Sequence, residues 1–144
     1  MKTLPIITAF LTGICLTLAL IAFTRIKEDS GYILDKEKEI AIEQPGPHDG
    51  GGKTTAYPFF SKAPGLELAF RKRTLRKGSS IGYHLQKEDE IYYIVAGTGE
   101  MTVNGKSFPV SAGDAILTRP GNYHGLKPAA NDSLTLIINY SLKK

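Results

Sequence analysis

The sequence predicts an all-β domain, a barrel or double-sheet sandwich of short antiparallel strands, and three observations carry that prediction. After Tyr57 the apolar residues alternate or fall in short runs rich in β-branched and aromatic side chains, a period-two habit that suits strands. Glycines at 78, 97, 99, 113 and 121, with Pro120, break those runs at short, even spacing. Asn104-Gly105 separates two of them, and this pair is a strong hairpin signal because both central positions of a type I′ turn need positive φ.

In chain order the expected strands are LELAFRKRTL, IGYHL, EIYYIVAG, EMTV, KSFPV, DAILT and SLTLIINY, giving about seven or eight strands in some ninety residues. A chain of 144 residues with 42% hydrophobic content and 15 glycines holds one modest domain and an N-terminal extra segment, not two domains. The 18 basic and 14 acidic residues, a formal net charge of +4, are scattered without long blocks. This argues against a nucleic-acid partner and leaves a mild preference for anionic small molecules. The single cysteine, Cys15, rules out a disulfide within the chain.

The domain organisation reads in three parts: residues 1–24, 25–56 and 57–144. The first is a nearly uncharged apolar run after Lys2, expected to be an export signal peptide or a membrane anchor through residues 3–23. Arg25 and Lys27 just after the run favour the anchor, whereas Pro5, Gly13 and the threonines that dilute it favour a removed signal. The protein is accordingly expected to be exported, periplasmic or extracellular, or held at a membrane. The second part is a charged and glycine-rich connector, with DKEKEIAIE read as a short helix or edge strand packed on the barrel. Its Gly52-Lys53-Thr54 is no phosphate loop: Gly46 is one residue too far upstream, and Tyr57-Pro58 blocks the helix such a loop must feed.

Within GYHLQKEDEIYYI, side chains two apart share a face, so His84 and Gln86 point to one side of a strand and Leu85 to the other. Glu90 opens the next strand toward the same interior, Glu88 and Asp89 are solvated turn residues, and His124 follows the Pro120-Gly121 turn. Two imidazoles and a carboxylate converging inside a β barrel make a set that suits iron(II), manganese or nickel with positions left open. His48 in the glycine-rich connector is read as solvated, with a role as a replacement imidazole the less favoured alternative. One of Arg71, Arg73 and Arg119 is expected near the pocket to orient an anion. Of Tyr92 and Tyr93, one should face in and one out.

These residues resemble the cupin family. Its first signature, glycine, five residues, His-x-His, three or four residues, Glu, six residues, glycine, reads here Gly78, His84, Gln86 in place of the second histidine, Glu90 and Gly97. The second reads Gly113, Arg119 where proline is usual, Gly121, His124 and Pro128 where asparagine is frequent, fifteen residues after the first. The resemblance covers roughly residues 60–140 and implies a double-stranded β-helix, or jelly-roll, cupin barrel. It further implies a divalent transition metal (Fe, Mn, Ni or Zn) held by His84, Gln86, Glu90 and His124, and barrels that pair as homodimers. On that basis the chain is expected to bind a small oxygenated ligand, sugar-like or an organic acid. It is expected to act as a metal-dependent isomerase or dioxygenase with Glu90 moving protons, or as a metal-free binder without chemistry.

Overall fold

The computed structural model describes residues 31–142. The expected signal or anchor over residues 1–24, Cys15 included, lies outside the described residues. Among the described residues no helix is long and apolar enough to cross a membrane. The elements, in order, are α1 (Glu37–Ile40), β1 (Ile42–Gly46), β2 (Gly51–Phe59), β3 (Leu68–Leu75), β4 (Ile81–Leu85) and β5 (Glu90–Ala96). There follow β6 (Thr98–Val103), β7 (Lys106–Ser111), β8 (Ala115–Thr118), β9 (Tyr123–Pro128) and β10 (Leu134–Ser141).

The strands form two sheets, a six-stranded one ordered β1-β2-β3-β10-β5-β8 and a four-stranded one ordered β4-β9-β6-β7. Every pairing is antiparallel, and from β3 onward the chain switches sheets at every connection except the β6–β7 hairpin, which is how a jelly roll closes its core between two layers. Strand alternation fills that core. In β5, Tyr92 and Ile94 point inward while Ile91, Tyr93 and Val95 stay exposed, and β10 adds Leu134, Leu136 and Ile138 from the same sheet. Met101 of β6 and Leu126 of β9 close the core from the four-stranded sheet. Each such side chain contributes about 1.5–3 kcal/mol by leaving water. Between β6 and β7 the expected hairpin turn is present, with Asn104 at φ 47° and Gly105 at φ 76°.

Strand structure begins upstream of Tyr57. The segment 25–56 that reads as a connector carries α1, the edge strand β1 and most of β2, so DKEKEIAIE, read as a short helix or an edge strand, contains the helix and the start of the strand. Its glycines serve close approach of backbones. A Cβ on Gly50 would meet the Ser80 carbonyl oxygen at 1.9 Å, and one on Gly82 would meet the His48 carbonyl oxygen at 1.7 Å. Backbone bonds fasten the contact: Gly82 N–H donates to Pro47 O and Ser80 N–H to Gly50 O, both at 3.0 Å. The β1–β2 turn is thereby seated on the start of β4, beside His84.

Candidate metal centre

His84 on β4 lies directly opposite His124 on β9, so imidazoles 40 residues apart become a cross-strand pair. Glu90, the first residue of β5, faces them from the other sheet. His124 and Glu90 are buried and His84 is half-buried, and one ligand atom from each lies within 4.8 Å of the others. The two Nε2 atoms stand 3.2 Å apart, and Glu90 Oε2 is 3.2 Å from His124 Nε2.

The outer nitrogens explain this orientation. His84 Nδ1 sits 2.8 Å from the Gly82 carbonyl, which can only accept, so Nδ1 donates, and the tautomer with its one proton there turns a bare Nε2 inward. His124 Nδ1 meets Thr118 Oγ1 at 3.0 Å. When that nitrogen donates to the hydroxyl, two imidazole lone pairs and a carboxylate oxygen converge with no proton between them. Glu90 Oε2 is buried and makes no hydrogen bond among the described residues. Buried polar atoms without a hydrogen bond are costly; besides His124 Nε2 at 3.2 Å, a cation placed between this oxygen and the two imidazoles would satisfy it. Two nitrogens each about 2.1 Å from one ion lie about 3.0–3.4 Å apart at octahedral or tetrahedral angles, which matches the spacing here. The donor set therefore fits a divalent transition metal.

A cavity of about 300 Å³ opens beside the cluster, lined among others by His48, Arg71, Arg73, Gln86, Tyr92 and Tyr140. Gln86 is buried, and its amide nitrogen donates to the Glu88 carbonyl at 3.0 Å. Arg73 is also buried; its guanidinium donates to Thr54 Oγ1 at 2.8 Å and, in the amide orientation that satisfies both groups, to Gln44 Oε1 at 3.0 and 2.8 Å. Burial, then the neighbouring Arg71 charge, lowers the Arg73 pKa, although a guanidinium stays charged. Arg71 lies over the Tyr140 ring, 5.3 Å from its centroid, and is exposed toward the opening. Tyr92 is the inward tyrosine; its ring lies 5.2 Å from that of His124, and burial with the Glu90 charge raises its phenol well above the ordinary value.

The structure thus brings His84, Glu90 and His124 together, with Gln86 in the same cavity wall. Arg71 and Arg73 share the pocket, whereas Arg119 lies outside it, ion-paired to Asp89 at 2.6 Å. Asp89 is exposed and Glu88 half-buried. His48 is exposed, as the solvated reading has it, but it is not without a contact: its ring stacks on His84 with centroids 3.4 Å apart and 7° between planes. Burial, reinforced by His84, lowers its pKa against the opposing pull of Glu90. Thr118 and the Gly82 carbonyl, which orient the two inward imidazoles, carry no sequence signal of their own because any hydroxyl or carbonyl at that register would serve.

Comparisons with known proteins agree with this architecture. A family model described as Cupin domain matches residues 72–139. An oxalate-binding protein of Thermotoga maritima is 34% identical over 116 residues, spanning 78% of this chain and 95% of the relative. The crystal structure of a predicted oxalate decarboxylase from Thermotoga maritima superposes with a TM-score of 0.70 at 30% identity, covering 77% of this chain and all of that one. A polyketide cyclase from Streptomyces resistomycificus shares the fold alone, with a TM-score of 0.62 at 16% identity over 78% of this chain and 80% of its own.

Proposed function

The chain belongs to the cupin family, and from that premise we propose that it is an exported or membrane-anchored cupin that binds a small carboxylate of the oxalate kind at a divalent transition metal. The single observation that carries the reading is the buried Glu90 Oε2, which accepts no hydrogen bond among the described residues and converges with two inward imidazole nitrogens. His84, Glu90 and His124 would hold the ion, with Gln86 joining through its amide oxygen. Such an ion supplies Lewis-acid attraction for a carboxylate or carbonyl oxygen. The chain's own groups do the rest. Arg71 faces the cavity with guanidinium donors that match a carboxylate. Arg73, committed to Thr54 and Gln44, adds positive field from behind the wall. Tyr92 and Ile138 narrow the floor and exclude water from the ligand, and Glu90 is the buried acid able to hold or move a proton.

The likeness to an oxalate-binding relative supports the ligand class, and the 300 Å³ cavity suits a molecule of a few heavy atoms. A metal-free binder is the second reading, favoured by the 3.2 Å approach of the two Nε2 atoms, which one ring proton would turn into a hydrogen bond. Isomerase or dioxygenase chemistry belongs to the first reading. The outward apolar stripe of Ile91, Tyr93, Val95 and Leu117, on β5 and edge strand β8, supports the homodimer as part of the same proposal. Metal analysis after reloading with manganese, iron, nickel or zinc should find close to one ion per chain, and none in His124→Ala. Calorimetry should then detect oxalate binding only in the loaded protein. Wild type that takes up no ion would end the metal reading, and disappearance of oxalate on incubation would separate an enzyme from a binder.

A further inference from the structure

The third imidazole near the cluster comes from outside the strands that carry the other two. Gln86 holds the position where the family pattern has its second histidine, while His48 reaches His84 from the β1–β2 turn. Pro47, His48, Asp49 and Gly50 form a two-residue hairpin turn closed by Gly50 N–H on Pro47 O at 3.1 Å, with His48 at φ 53° and Asp49 at φ 60°. Both central residues are left-handed, the type I′ arrangement for which Asn-Gly is the low-strain choice. The chain uses that choice at Asn104-Gly105. At the β1–β2 turn it places two side chains in the strained region instead, and such strain collects where a side chain has a task.

The task is visible in the geometry. An ion in the plane of the His84 ring would lie out of the plane of a ring stacked 3.4 Å away at 7°, so His48 cannot aim a lone pair at it. Consistently, the cluster with ligand atoms within 4.8 Å of one another, among the described residues, is His84, Glu90 and His124. His84 is the one half-buried member of that cluster and the one on an edge strand, β4. Its Nδ1 is tied to Gly82 and its open face is covered by His48. Gly82 in turn is pinned by Pro47 of the same turn, so the turn restrains His84 both through the ring and through the backbone.

We propose that His48 is a positioning residue of the metal centre: its ring, held by the strained β1–β2 turn, clamps the His84 imidazole in the orientation that presents Nε2 to the ion. The inference rests on the metal reading above. The test uses the full-length protein with Zn(II), its affinity measured by competition with a chromogenic chelator. His48→Asn keeps a residue that tolerates the left-handed turn but removes the ring, and should weaken Zn(II) binding roughly tenfold, the scale typical of groups that orient a ligand imidazole. His48→Phe restores a stacking ring and should recover most of that loss. In the metal-free protein, NMR should show the His84 ring protons moving downfield in His48→Asn as the ring-current shielding is lost. Wild-type affinity in His48→Asn would overturn the proposal, as would equal weakening in Asn and Phe variants, which would assign the effect to the imidazole nitrogens. Wild type that binds no Zn(II) would instead overturn the metal reading and this inference with it, whereas loss in His124→Ala alongside an unaffected His48→Asn would overturn only this one.

Discussion

Glu90 concentrates the conflict between stability and function in one carboxylate. It begins β5 with its side chain buried and one oxygen that accepts no hydrogen bond among the described residues, an arrangement whose cost a bound cation would offset. Glu90→Gln removes that charge and supplies an N–H able to donate to a neighbouring Nε2. In chelated protein the variant should therefore gain roughly 1–2 kcal/mol in thermal or denaturant unfolding, while losing the metal-induced gain of the wild type. A variant destabilised under both conditions would show that Glu90 already has a partner and leaves no vacancy for an ion. Gln86→His tests the cavity wall in the same way. Imidazole is the stronger ligand for late transition metals, so Zn(II) affinity should rise; unchanged affinity would place residue 86 outside the ligand shell. At this scale much was legible in the sequence, because period-two alternation alone puts His84 and Gln86 on one face and Leu85 on the other. His48 was not, since its place depends on a backbone contact with residues more than thirty positions away.

The β1–β2 hairpin shows where element-level reading gives out. Asn104-Gly105 announces its turn because the required φ values are cheap for those residues, and the structure forms that turn. His48-Asp49 makes a turn of the same kind with residues that do not advertise it, and the glycines around it read as flexibility until Ser80 and Gly82 are seen pressed against them. Gly82→Ala should accordingly cost roughly 3 kcal/mol, because a Cβ at that site collides with backbone rather than with a side chain that can swing aside. The same variant should weaken Zn(II) binding, since the collision lifts His48 off His84. Chemical denaturation and metal competition on one protein sample check both. Unchanged affinity in a destabilised Gly82→Ala protein would separate the turn from the metal centre.

For the whole molecule, the site bridges the two sheets: His84 and His124 come from the four-stranded one and Glu90 from the six-stranded one. An ion bound there cross-links the layers that enclose the core, so metal binding and global folding should be linked. At a free metal concentration about 100-fold above Kd, linkage adds about 2.7 kcal/mol to unfolding. For a domain of this size that should raise Tm by about 10 °C. Oxalate added to the metal-loaded protein should raise it further, and should have little effect on chelated protein, because Arg71 and Lys87 offer solvated charges at an open mouth, where an ion pair contributes little. His124→Ala should abolish the metal shift and, with it, the oxalate shift. Thermal unfolding across these conditions gives each result a distinct meaning. An oxalate shift of equal size with and without metal would assign the anion to the arginines and detach it from the imidazole cluster. A metal shift without any oxalate shift would keep the cross-link between the sheets and send the search to other small oxygenated ligands.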